Sequence, residues 1–262
     1  MRILALLHSP ATSGGDTTMR RIAGHLTAAG HSVVLAPNNG RPGFLAAMAR
    51  NHHADAVIGS HALIGGAVLA ETGLPYVLVF GGTDLNEYVH DPDALATMTK
   101  AVDGAAALVA FNEDFAERCL DLWPHTRERL HLIPQSVFAE EDPTYSMRDS
   151  LGLPGQSQVF LLPAGLRPIK DPLMLAAEVQ RWHREDPRIH LVIAGYSYDD
   201  DFEAIVRRRL AISPGVRYAG VLARAHLHAA MVQSAAVVNT SISECSPNAV
   251  LEIGRASCRE RV

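Results

Sequence analysis

Short apolar runs alternate with helix-period segments from one end of the chain to the other, and this alternation narrows the fold more than any single motif. Strand-like runs over 3–7, 32–36, 56–58, 76–80, 107–111 and 130–133 are separated by helical stretches over 17–29, 42–51, 62–72, 92–103 and 112–122. Apolar runs of roughly 4–8 residues bounded by Gly, Pro or Asn suit strands buried on both faces, as in a parallel sheet covered by helices. The rhythm therefore predicts an α/β fold with a doubly wound parallel sheet.

The rhythm pauses at 134–143, where Glu140-Glu141-Asp142-Pro143 is polar and turn-rich. It restarts with strand candidates over 159–162, 189–194, 216–218 and 236–239, interleaved with helices over 171–184, 201–211 and 224–234. Two such runs split by a polar connection suggest two Rossmann-like domains, 1–143 and 144–253. One long sheet is the alternative. A helix opening at Pro247 is expected to stop after about two turns, because residues 254–262 leave the pattern. They hold three Arg and one Glu, so the remainder carries 20 basic against 27 acidic residues. That segment reads as a foreign, vector-like tail, with a natural basic tail as the other possibility.

At 262 residues and 48% hydrophobic, the chain has enough apolar material for packed cores, which excludes intrinsic disorder. The formal charge of −5 argues against a dedicated nucleic-acid or anionic-membrane surface. Three scattered cysteines (Cys119, Cys245 and Cys258) fit reduced thiols rather than a disulfide scaffold or a CxxC zinc site. No run approaches the roughly 18–20 apolar residues of a membrane span, and 3–7 is too short for the core of a secretory signal. No integral membrane segment and a cytoplasmic location are the expectation.

In open α/β sheets ligands bind beyond the carboxyl ends of the strands, so the loops there matter most. The first strand runs toward Gly14-Gly15 at a helix start, where free N–H groups favour an anion; a plain flexible turn fits equally. Strand 76–80 delivers Gly81-Gly82-Thr83-Asp84, which offers a hydroxyl and a carboxylate to a polyhydroxylated ligand. Asp84 can instead cap the following helix. Strand 159–162 ends near Gly165, Arg167 and Lys170, beside a helix expected to start at Asp171-Pro172. Two cations there make a phosphate clamp, or else solvated surface charge. Strand 236–239 leads to Glu244 and Ser246-Pro247-Asn248, with Ser246 as expected cap, and then to Glu252. At 1.5 Å rise per residue a continuous helix would set the two glutamate backbones about 12 Å apart. That exceeds the spacing of about 5–9.5 Å for an acid/base pair on one glycosidic bond, but suits a grip on both ends of an extended ligand.

Glu244 and Glu252, with seven residues between them, resemble the E-x7-E signature of retaining GT-B glycosyltransferases of the group 1, GT4-like family. The Arg167/Lys170 loop is similar to that family's phosphate-binding pair, and Gly195 approximates its GxG position. Gly14-Gly15, Gly30-His31-Ser32-Val33, Gly82-Thr83-Asp84 and Ile133-Pro134 follow the family's order in the first half. The resemblance spans about 1–252 and implies two Rossmann-like domains facing a cleft, acceptor mainly on the first and nucleotide-sugar donor mainly on the second. It implies that Glu244 contacts the transferred sugar, Glu252 the ribose hydroxyls, and Arg167 and Lys170 the diphosphate. Ser246, Asn248, Gly165 and Gly195 complete the donor side; Gly14, Gly15, Thr83, Asp84 and His61 line the acceptor side, although His61 reads equally as a plain cap or surface histidine. No metal and no cofactor besides the donor substrate is implied, and the acceptor (glycan, lipid or small metabolite) stays open.

This chain has Gly81 where the family usually has His, Cys245 where it has Gly, and Arg167 one place later than its G-R. Family members also continue past the second glutamate, which implies a truncated chain with an incomplete donor half. A GT-B-like module that holds a nucleotide sugar without turning it over is the competing reading. A nucleotide-sugar epimerase would need Tyr-x-x-x-Lys and GxxGxxG, and neither is present.

Overall fold

A computed structural model describes residues 1–7, 13–41, 43–138, 140–197 and 199–257. The chain clusters into two compact units, Met1–Ser136 with Glu244–Ser246, and Val137–Ser243 with the segment from Pro247 onward.

The first unit carries strands β1 (Arg2–Leu7), β2 (Ser32–Pro37), β3 (Ala56–Ser60), β4 (Tyr76–Val79), β5 (Ala107–Ala110) and β6 (Leu130–Leu132). Its helices are α1 (Gly14–Ala28), α2 (Phe44–Asn51), α3 (Ile64–Ala70), α4 (Thr83–Asn86), α5 (Pro92–Gly104) and α6 (Glu113–Leu122). All six strands pair in parallel, in the order β2-β1-β3-β4-β5-β6. Successive strand residues point to opposite faces. Leu4 and Leu6 of β1 thus join one core layer with Leu45, Leu69 and Met98, while Ile3, Ala5 and Leu7 join the other with Met19 and Ala23. Burial on both faces is why β1 reads as an unbroken apolar run rather than an alternating one.

The second unit carries β7 (Gln158–Pro163), β8 (Ile189–Ala194), β9 (Val216–Gly220) and β10 (Ala236–Val237). Its helices are α7 (Met147–Ser150), α8 (Ala176–Glu185), α9 (Asp200–Ala211), α10 (Arg224–Gln233) and α11 (Asn248–Ser257). The parallel order is β10-β7-β8-β9. Leu162, Leu191 and Ile193 pack on Ala176, Val179 and Val206, and Val159, Leu161, Val192 and Ala194 pack on Met147, Ala230 and Met231. Each sheet reverses its winding once, between β1 and β3 and between β7 and β10. Ligands of doubly wound sheets bind outside the carboxyl ends of the strands at such a reversal.

Several helix starts differ from expectation. Helix α1 begins at Gly14 rather than residue 17, because the Ser13 hydroxyl accepts from Asp16 N at 3.0 Å and caps it. Helix α8 begins at Ala176, not at Asp171-Pro172. Pro168–Lys170 forms a 3-10 turn instead, and Asp171 leaves it in the left-handed region at φ 37°, so it cannot cap a helix there. Helix α11 starts one residue after the expected Pro247, whose carbonyl accepts from Leu251 N at 3.2 Å. It runs ten residues to Ser257 rather than stopping after two turns. Of the supposed tail, 254–257 therefore lie in a helix, and 258–262, with Cys258, lie outside the described residues. So does Pro42 in the helix expected over 42–51.

Candidate functional site

In the first unit the ends of β3 and β4 are bolted together by one carboxylate. Asp84 is fully buried; Oδ2 accepts from Ala62 N and Gly81 N, each at 2.9 Å, and Oδ1 accepts from Leu85 N at 3.0 Å. A buried carboxylate needs such donors, and three backbone N–H groups supply them. Asp84 thus ties the loop at Ala62 to the loop at Gly81.

His61 follows β3 with φ 73°, an uncommon backbone for a side chain larger than glycine, and it is buried. Ile64 N donates to its Nδ1 at 3.3 Å, which puts the neutral ring's hydrogen on Nε2, 2.9 Å from the Thr83 hydroxyl. Thr83 and His61 are therefore one hydrogen-bonded pair. Gly14 and Gly15 open α1 beside Asp16, a residue the sequence reading passed over: it is buried and its Oδ2 accepts from Arg20 Nε at 2.7 Å. The segment Glu244–Ser246 groups with this unit, where the Cys245 carbonyl accepts from Asn112 Nδ2 at 2.8 Å. A Cβ added at Gly82 would meet Cys245 Cβ at 3.6 Å. Burial pushes the Cys245 thiol up to about 12, with Asp84, Glu244 and Asp114 adding to the rise.

In the second unit the loops after β7, β8 and β10 converge at the reversal point. Leu166 bridges to Ser197, and Leu166 N donates to Tyr196 O at 2.8 Å. Gly195 is indispensable to this approach: a Cβ there would lie 2.2 Å from the Ala164 carbonyl and 2.8 Å from Gly165 N. The turn holding Arg167 and Lys170 is stitched to the loop after β10, since the Thr240 hydroxyl donates to Lys170 O at 2.8 Å and Ile242 N to Ile169 O at 2.9 Å. Gly165, Gly195, Arg167 and Lys170 are therefore gathered at one end of one sheet. Ser246 and Asn248 are half-buried at the approach to α11 and in its first turn.

Glu252 sits on α11, 3% exposed, with its carboxylate engaged inside the unit. Arg224 pairs with Oε1, and His228 Nε2 stands 3.2 Å from Oε2. Neither partner figured in the sequence reading. The spacing of Arg224 and His228, four residues apart on a helix, was the available signal. His226 diverges from His228: it stacks on Tyr145 with ring centroids 4.2 Å apart and lies 3.3 Å from Asp142 Oδ2. Among the described residues no group of three or more His, Cys, Asp or Glu is gathered as a metal ion would need, and no helix is long and apolar enough to cross a membrane.

No family model matches the chain. It is 30% identical over 267 residues to glycosyltransferase 1 domain-containing protein 1 of Xenopus tropicalis, covering 96% of this chain and 75% of the relative. Its fold is similar to that of HepE from Anabaena, solved with UDP and glucose (TM-score 0.73, 17% identity, covering 97% of this chain and 78% of HepE). It is also similar to WaaG, a glycosyltransferase involved in lipopolysaccharide biosynthesis (TM-score 0.70, 16% identity, covering 98% and 79%). Two doubly wound parallel sheets and this degree of identity place the chain in the group 1 glycosyltransferase family, with a GT-B-like fold.

Proposed function

We propose that this chain transfers a sugar from a nucleoside-diphosphate sugar to an acceptor hydroxyl with retention of anomeric configuration and without a metal ion. The observation that carries the reading is the stitched pair of loops at the β7/β10 reversal, which holds Arg167 and Lys170 at a strand end beside a glycine-lined approach. Breaking the sugar–phosphate bond leaves a nucleoside diphosphate with an additional negative charge. Preorganised cations stabilise such a leaving group without metal chemistry. Glu244 contacts the transferred sugar and Glu252 the ribose, with Ser246 and Asn248 beside the diphosphate; His61, Thr83, Asp84, Gly14 and Gly15 serve the acceptor side, Asp84 by holding the loops. HepE, solved with UDP-glucose, supports a uridine diphosphate donor.

The test combines binding, turnover and stereochemistry. UDP and UDP-glucose are expected to raise the melting temperature, and glucose release is expected to persist in EDTA, with the α-anomer formed first by NMR. Lys170→Ala should weaken UDP binding by about 1.5–3 kcal/mol, the range for a charge-assisted hydrogen bond. Binding with neither release nor transfer would make the chain a nucleotide-sugar-binding module. No stabilisation by UDP, GDP or their sugars would overturn both readings.

A further inference from the structure

Arg224, His228 and Glu252 cluster outside the phosphate turn, with His228 and Glu252 buried and Arg224 exposed. Glu252 and His228 are 3% and 0% exposed, so a carboxylate and an imidazole have both been removed from water. Burial of that kind is strongly unfavourable unless each polar atom meets a complementary one. The His228 ring is fixed from behind by the backbone of Glu140, whose N–H and C=O each stand 3.0 Å from Nδ1. On its other side Nε2 faces Oε2 of Glu252 at 3.2 Å, close enough for an ion pair but outside hydrogen-bond geometry. A carboxylate there favours a hydrogen on Nε2, with Nδ1 accepting from Glu140 N. Arg224, on the same face of α10 one turn earlier, pairs with the other oxygen, and its side chain is 41% exposed against 4% for that of Glu252. One carboxylate oxygen thus faces a fully buried ring, and the other pairs with a guanidinium that reaches solvent.

We propose that His228 is the positioning residue of Glu252, setting the carboxylate's orientation so that Oε1, shared with the solvent-reaching Arg224, is the oxygen that meets the hydroxyls of a nucleotide ribose. The inference rests on the reading above that Glu252 contacts the donor. Arg224 is the exchangeable partner: an incoming diol donates to Oε1 while Oε2 stays with His228. No bond is made or broken and no proton leaves the site.

A double-mutant cycle in the full chain separates this role from a structural one, with UDP-glucose as the probe. Glu252→Gln is expected to weaken binding about tenfold or more. His228→Leu should raise KM for UDP-glucose by a similar factor with kcat nearly unchanged. His228→Gln, which keeps an N–H donor, should restore most of the loss. The double variant Glu252→Gln/His228→Leu should bind no more weakly than Glu252→Gln alone, because a residue acting only through Glu252 has nothing further to lose. Additive losses, a fall in kcat with KM unchanged, or no recovery in His228→Gln would overturn the role assigned to His228. A Glu252→Gln variant that binds UDP-glucose like the wild type, while Lys170→Ala does not, would instead remove the ribose contact and leave the phosphate turn standing.

Discussion

At the scale of single residues, burial decides what the reactive side chains do. Asp84 is adjacent to a glycine pair and a threonine in the sequence, a pattern that suits ligand binding, yet its oxygens serve three backbone N–H groups. Asp84→Ala leaves those donors buried and unpaired, so the expected destabilisation in urea unfolding is roughly 3–5 kcal/mol. A loss below about 1 kcal/mol would show that water readily replaces the carboxylate. The cysteines make a second case. Burial pushes the Cys119 thiol up to about 11 and that of Cys245 up to about 12, so neither supplies appreciable thiolate at neutral pH. Brief treatment of the native protein with iodoacetamide is expected to leave both unmodified by peptide mass spectrometry, and rapid alkylation of the half-buried Cys245 would contradict its raised thiol pKa. Nothing in the spelling of residues 244–246 announces that environment, which comes from Asn112 and Gly82, distant in sequence.

Among the secondary-structure elements, the strands were the most legible, because burial on both faces leaves a continuous apolar run that short-range pattern detects. Strand β8 occupies the expected 189–194, and β1 differs from expectation by one residue. Helix starts were less legible. The turn at Pro168–Lys170 is held by Thr240 and Ile242, some seventy residues downstream, and local propensity carries no trace of that tie. Close packing between helices is equally hidden. Gly66 of α3 looks like an ordinary weak helix former, yet an added Cβ would lie 2.6 Å from Ala101 Cβ on α5. Gly66→Ala is therefore expected to lower stability by about 1–3 kcal/mol despite the better helix propensity of alanine. A stabilised variant in thermal unfolding would mean that α3 and α5 separate without penalty.

For the molecule as a whole, acid sensitivity should report on the second sheet. His190 on β8 is buried; burial and then the nearby His183 and Arg217 hold its imidazole below its ordinary value of 6.5. The unfolded chain therefore binds this proton more readily than the folded one. Its contribution is fully present above about pH 6.5 and is lost as pH falls toward the lower folded value. His190→Val should flatten that acid-side slope in urea midpoints measured against pH, and an unchanged slope would remove His190 as its source. What the linear order of residues determined by itself was the alternation of buried strands and amphipathic helices, and with it the α/β class, because both arise from periodicities a few residues long. Tertiary structure alone decided which loops share an end of a sheet, that Asp84 binds backbone, and that Glu252 lies between Arg224 and His228. Those outcomes depend on strand order and on contacts between residues tens of positions apart, and they are settled by which polar groups burial obliges to find one another.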